Sequence, residues 1–191
     1  PKPTAAFAHG AACQGNSVTF NDQSISNTTG NISGWNWNFG DPTSGTANSS
    51  TLQNPTHTYN TAGTYTAQLI VSIPGGCSDT ITHQITVSPP PAVDFTPVAG
   101  CNGDTTQFTS TVNAAATEGY YWQFGDGNTS FIANPTHIYA TAGTFTVTLT
   151  ITDTAGCTNV KVKPVTVIPG PVAAFSSSSP ANGLETLIWA V

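Results

Sequence analysis

The chain has no methionine, three basic residues among 191, and only 6% charged residues. A typical soluble domain carries roughly a quarter, so hydroxyls and amides, not ion pairs, must solvate this surface. Such a surface suits contact with glycans or surface proteins. Three basic against nine acidic residues leave a net charge of −6, which repels phosphate backbones and anionic lipid. Nucleic acid is therefore excluded as a partner. No run approaches the roughly 20 apolar residues that cross a bilayer, so no membrane insertion is expected. The opening Pro1-Lys2-Pro3-Thr4 has no apolar signal core and reads as a processed terminus or a fragment. Helical periodicity is missing throughout, as is any GxSxG or catalytic-cysteine pattern. The chain reads as a non-enzyme, with no catalytic residue and no cofactor to assign.

What is present is turn and strand chemistry: 18 Gly, 14 Pro and abundant Thr, Ser and Asn, the composition of an all-β chain. The first half is rewritten in the second. Phe7, Cys13, Phe20, Trp37, Phe39, Gly40, Asp41, His57, Tyr59, Gly63 and Cys77 are answered by Phe95, Cys101, Phe108, Trp122, Phe124, Gly125, Asp126, His137, Tyr139, Gly143 and Cys157. The offset shrinks from 95 − 7 = 88 to 157 − 77 = 80, mostly because Pro42 to Gln53 is longer than Gly127 to Ala133. Pro89-Pro90-Pro91 makes a stiff joint, and Pro169-Gly170-Pro171 recurs at the matching place. The expected organisation is a first sandwich over 1–88, a second over 92–168, and over 172–191 the first strands of a third repeat or an exchanged strand. In that last stretch Ala181 stands where the first cysteine is expected.

Alternation predicts strands over 17–21, 34–39, 64–73 and 80–87, then 105–109, 119–124, 144–152 and 161–167, with no helix of consequence. About seven short strands per 80 to 90 residues match tandem Ig-like antiparallel β-sandwiches. Trp37 and Trp122 belong in the cores, leaving Trp35, Tyr120, Tyr121 and Phe131 freer to face outward. Four cysteines and almost no lysine favour export to an oxidising compartment, extracellular, at the cell surface or secreted. Repeat symmetry selects one disulfide per domain, Cys13 with Cys77 and Cys101 with Cys157. Asp41 and Asp126 suit turn amides, and a Ca²⁺ site has only Asp41, Asp79, Asp126 and Asp153 to draw on. His57 and His137 recur in each copy and read as fold, not catalysis.

The sequences WNFGDP and WQFGDG, followed by NPTHTYNTAGTYTAQLIV and NPTHIYATAGTFTVTLTI, resemble the polycystic kidney disease (PKD) domain over residues 3 to 168 in two copies. Pro42 replaces the motif's Gly in the first copy. The resemblance implies a spacer, adhesion or protein-contact module, sometimes beside an enzyme domain. Gly76-Cys77 and Gly156-Cys157 look like arrays in large surface proteins of Bacteroidota. Thr80, Thr105 and Thr154 stand in triplets that resemble that phylum's O-glycosylation signal, and Asn27, Asn31, Asn48 and Asn128 head N-x-Ser/Thr sequons. The functional expectation is a non-catalytic stalk or filament repeat whose partners are other copies of itself or neighbouring repeats. Should the polypeptide end at Val191, the apolar stretch carrying Leu184, Leu187, Ile188 and Val191 could complete a neighbour's sheet by strand addition. The alternative is a carbohydrate-binding or spacer module of a secreted hydrolase.

Overall fold

The computed structural model describes residues 2–27, 30–112, 117–178 and 186–189. In the first unit the strands are β1 (Phe7–His9), β2 (Ser17–Asp22), β3 (Gly34–Asn38), β4 (Ser49–Ser50), β5 (Thr56–Thr58), β6 (Gly63–Ser72) and β7 (Ser78–Val87). The second unit repeats them as β8 (Val93–Val98), β9 (Thr105–Val112), β10 (Thr117–Gln123), β11 (Thr129–Ser130), β12 (Thr136–Ile138), β13 (Gly143–Asp153) and β14 (Thr158–Val167). Each unit faces a three-stranded sheet, β1-β2-β5 or β8-β9-β12, with a four-stranded one, β4-β3-β6-β7 or β11-β10-β13-β14. All named strand pairs are antiparallel. This is the Ig-like sandwich that the alternation predicts.

Side-chain alternation builds the cores. Along β6, Ala67, Leu69 and Val71 point inward, and along β13 Val147, Leu149 and Ile151 do the same. Trp37 is fully buried and meets Phe7 edge-on at 5.1 Å and Phe20 at 5.6 Å. Trp122 repeats this with Phe95 at 5.1 Å and Phe108 at 5.5 Å. Burial would strand the indole N–H groups, but they donate to the carbonyls of Leu52 (2.9 Å) and Ile132 (3.0 Å). The central tryptophans thus also anchor the loop after β4 or β11.

Two features depart from the expected elements. The longer loop of the first unit contains a short 3₁₀ segment, Pro42–Asn48, where the sequence reads as a plain loop. Proline at its start fixes φ and has no N–H to leave unpaired. Strands of two or three residues, β1, β4, β5, β11 and β12, also escape a test based on alternation, and so does the six-residue β8, which carries Pro97.

Beyond the second unit, β15 (Phe175–Ser178) pairs antiparallel with β16 (Thr186–Trp189). Phe175 sits opposite Trp189 as Phe7 sits opposite Asp22 and Phe95 opposite Ser110. Leu187 and Ile188 lie on β16, whose partner is β15 of the same chain. Leu184 and Val191 fall outside the described residues.

Candidate functional site

Two structures recur in both units: an Asp–His corner at the end of β3 or β10, and a cysteine at each pole of the sandwich. The corner begins with a glycine. Gly40 has φ +72° and Gly125 φ +84°, and a Cβ there would lie 2.4 Å from the Thr66 carbonyl oxygen or 2.6 Å from that of Thr146. Only glycine lets the chain turn this close to β6 or β13. The following aspartate then bends back beneath the sheet edge. Asp41 Oδ2 meets His57 Nε2 at 3.2 Å, and Asp126 Oδ2 meets His137 Nε2 at 2.6 Å.

Each imidazole is clamped. His57 lies flat on Phe39 at 4.5 Å and edge-on to Tyr59 at 4.5 Å, while His137 lies on Phe124 at 4.3 Å and against Tyr139 at 4.6 Å. The tyrosine hydroxyls close the corner by donating to the carbonyls of Phe39 (2.9 Å) and Phe124 (3.0 Å). Burial pushes both phenols upward, and the nearby Asp41 or Asp126 carboxylate adds to that. For the Asp41 carboxyl, burial pushes upward too, but hydrogen bonds from Thr43 and His57 outweigh it and hold the group below its usual range. Asp126 is likewise lowered against burial, by His137 and Asn128. The replacement of the motif's Gly by Pro42 therefore leaves the corner intact: the inserted 3₁₀ turn brings Thr43 to Asp41 at 2.5 Å, where Asn128 serves Asp126. It also seals the pair, with both side chains 3% exposed in the first unit against 12% and 19% in the second. Beside each corner a groove opens, of about 510 Å³ along Phe39, Ser50, Leu52 and His57 and about 450 Å³ along Phe124, Ser130 and His137.

The cysteines correct the pairing expected from sequence. The structure bonds Cys13 to Cys157, with Cα atoms 5.6 Å apart, and leaves Cys77 and Cys101 as thiols. Strand register gives the reason. Cys13 bridges to Ser88 at the trailing end of β7, whereas Cys77 immediately precedes the leading end of that ten-residue strand. At about 3.3 Å per residue the two lie roughly 30 Å apart, far beyond the reach of roughly 7 Å between bonded Cα atoms. Cys101, bridged to Ile168, and Cys157, just before β14, are separated in the same way. Each unit thus carries one cysteine at its leading hairpin and one at its trailing turn. At the joint they meet.

Further contacts fix this joint. Ser88 N donates to the Ala12 carbonyl at 2.9 Å, and Gln14 N donates to the Ser88 carbonyl at 2.9 Å. On the other side, Asp153 Oδ1 accepts the amides of Ala155 (2.9 Å) and Cys157 (2.8 Å), which shapes the hairpin. Asn159 Nδ2 donates to the Pro91 carbonyl at 2.8 Å and ties the linker to β14. A Cβ on Gly156 would be in ordinary contact with Ala11 of the first unit, at 3.6 Å.

The four carboxylates named for Ca²⁺ are not brought together. Asp41 and Asp126 belong to the two corners and Asp153 to the hairpin. Asp79, the counterpart of Asn159, binds Lys2 Nζ (2.7 Å) and Ala5 N (2.9 Å). Those contacts, Lys2 first, lower its carboxyl. Among the described residues no three His, Cys, Asp or Glu side chains gather as a metal-holding group. Thr80, Thr105 and Thr154 are all exposed. Trp35 packs partly against the core and its N–H donates to Asp22 at 2.7 Å, and Tyr120 packs against the second core. Tyr121 instead stacks on the exposed Phe131 at 5.2 Å, a pair that Asn36 and Thr51 replace in the first unit.

A doubled seven-stranded Ig-like sandwich with a Trp core and a Phe-Gly-Asp corner defines a class of tandem β-sandwich repeats. Within that class the chain belongs to the PKD domain family, whose model matches residues 1–87 and 88–167. It is similar to collagenase ColA of Bacillus cereus, 50% identical over 52 residues, covering 27% of this chain and 5% of the collagenase. It is also similar to collagenase ColA of Clostridium perfringens, 40% identical over 67 residues, or 35% of this chain and 6% of that protein. The chain therefore spans only about a twentieth of these relatives. Among solved structures, the PKD1 domain of the Vibrio cholerae metalloprotease PrtV is 33% identical, with a TM-score of 0.39 over 46% of this chain and 99% of that one. The PKD1 domain of Vibrio anguillarum Epp is 27% identical, with a TM-score of 0.42 over 47% and 98%. No described helix is long and apolar enough to cross a membrane.

Proposed function

We propose that these PKD repeats form a non-catalytic, covalently braced spacer in the stalk or filament of an exported protein. One observation carries this reading: the Cys13–Cys157 bond lies across the joint and leaves the two units unable to separate without breaking a covalent bond. A disulfide whose main effect is to hold one domain against the next serves transmission of geometry or force along a chain. It also requires an oxidising compartment, which supports an extracellular location. Both Asp–His pairs are held by stacked rings and by tyrosines that close the same turn, so their chemistry supports the fold. The resemblance of the Gly-Cys hairpins to surface arrays of Bacteroidota supports a cell-surface parent.

Small-angle scattering and NMR relaxation on oxidised and reduced chain test this. The oxidised units should tumble as one body and gain independent motion on reduction. Independent tumbling in the oxidised chain would contradict a spacer role. The stack of half-buried Tyr121 on exposed Phe131 favours a second reading, carbohydrate binding, because flat aromatic pairs can pack against sugar rings. Retention on an insoluble polysaccharide that disappears in Tyr121→Ala and Phe131→Ala would support it.

A further inference from the structure

Cys77 and Cys101 are not arbitrary leftovers. Cys77 occupies in the first unit the hairpin place of Cys157 in the second: Ile73 N donates to the Cys77 carbonyl at 3.1 Å as Asp153 N donates to that of Cys157 at 2.9 Å. Cys101 occupies the trailing-turn place of Cys13: Asn102 N donates to the Ile168 carbonyl at 2.9 Å as Gln14 N does to that of Ser88. The chain therefore holds one finished joint and both unlike halves of another, with Cys77 at the leading pole and Cys101 at the trailing pole. A head-to-tail contact of this kind joins unlike surfaces, so each unit that completes it presents the same two surfaces again. They cannot satisfy each other within one chain, because a long strand, β7 or β14, separates each of them from the joint.

We propose that Cys77 and Cys101 are half-joints that form, with other PKD repeats, the same bond as Cys13–Cys157: Cys77 with the trailing-turn cysteine of a preceding repeat, and Cys101 with the hairpin cysteine of a following one. The inference rests on the spacer reading and extends it from one braced joint to the joints on either side of this pair of repeats; Ala181, at the trailing-turn place of the next unit, ends the run there. Chemically, each bond joins two thiols. Two protons and two electrons pass to a disulfide oxidant such as oxidised glutathione, whose S–S bond breaks to give two glutathione thiols. Cys77 is exposed and open to such exchange, and Cys101 is half-buried. The linker is already held at the Cys101 turn, since Asn102 Oδ1 accepts Gly170 N at 2.8 Å, so a following repeat starts beside that sulfur.

Two arms test the proposal and identify the source of the partner. In the first, a further copy of residues 91–168 is fused after Gly170, the protein is refolded in glutathione redox buffer, and its disulfides are mapped without reduction. Cys101 should be bonded to the added repeat's hairpin cysteine. A free Cys101, or its bonding to any other cysteine in a protein that retains the Cys13–Cys157 bond, overturns the proposal and leaves the single-joint spacer standing. In the second arm, the 191-residue chain is oxidised at high concentration. A ladder of covalent oligomers joined through Cys77–Cys101, lost in both Cys77→Ala and Cys101→Ala and reduced to dimers when the two variants are mixed, makes separate copies competent partners. Bonds dominated by Cys77–Cys77 or Cys101–Cys101 contradict the head-to-tail geometry. A monomer, together with the expected bond in the first arm, assigns the partner to repeats of the same polypeptide.

Discussion

Replacing Cys13 and Cys157 together by alanine removes the brace without leaving an odd thiol at the joint. Its effect can be worked from the ring that the bond closes. When the second unit unfolds on a folded first unit, the chain is anchored at Ser88, which hydrogen-bonds the Cys13 turn, and again at Cys157. The constrained segment is 157 − 88 = 69 residues. Loop-closure entropy for a ring of that size is worth about 4 kcal/mol at 25 °C. The first unit, held between Cys13 and the Pro91 linker on β14, has a segment of 91 − 13 = 78 residues and a similar gain. For domains of this size such a loss lowers Tm by roughly 15–30 °C. Differential scanning calorimetry should show both transitions falling in Cys13→Ala/Cys157→Ala, by about 5 kcal/mol in total and mostly in the first, because the fully unfolded chain keeps a single ring of 144 residues. They should move by less than about 0.5 kcal/mol in Cys77→Ala/Cys101→Ala, which removes surface or half-buried thiols. Equal losses in the two double variants would refute the cross-joint bond and restore one staple per domain.

Other outcomes follow from single residues. Thr106 is 1% exposed and its hydroxyl has no partner among the described residues, while the first unit has Val18 at the equivalent place; Thr106→Val should raise stability by about 1 kcal/mol or more in urea titrations. Gly40→Ala and Gly125→Ala force a Cβ onto a backbone carbonyl at positive φ, and each should cost over about 2 kcal/mol or abolish folding, read as loss of the near-ultraviolet signal. Tyr59→Phe and Tyr139→Phe leave a buried carbonyl unpaired and should each cost about 1–2 kcal/mol in the same titration. The Asp41 and Asp126 carboxyls ionise more readily folded than unfolded. The stability they contribute is present above roughly pH 4 and is lost as pH falls through their lower folded values. For Tyr59 and Tyr139 the shift is upward, so the unfolded chain loses these protons first and stability falls as pH rises past roughly 10. Tm measured against pH should therefore drop at both extremes, and a flat acid limb would contradict the role of the corner.

Much of the fold could be read from the chain because period-two alternation is strong where one face is buried. Along the second halves of β6 and β13 every second residue is a core aliphatic, and the long strands lie within about three residues of their expected ends. The repeat also singled out the tryptophans and the histidines. Short edge strands were missed because two residues carry no period, and the 3₁₀ turn because Pro-Thr-Ser-Gly also reads as a plain loop. The cysteine pairing departs from repeat symmetry for another reason. Symmetry says which positions are equivalent, not which are adjacent. The distance that decides the pairing is the length of β7, and the stretch from Cys77 to Ser88 already contained it. The Asp–His contact needed the corner glycine to fold the turn under His57, a tertiary approach across 16 residues that no local pattern announces.

The covalent bond lies between repeats. Digestion of the alkylated, unreduced chain followed by mass spectrometry tests it most directly. One linked peptide pair carrying Cys13 and Cys157 should appear, with Cys77 and Cys101 alkylated in the dilute monomer. Linked pairs carrying Cys13 with Cys77 and Cys101 with Cys157 would contradict it.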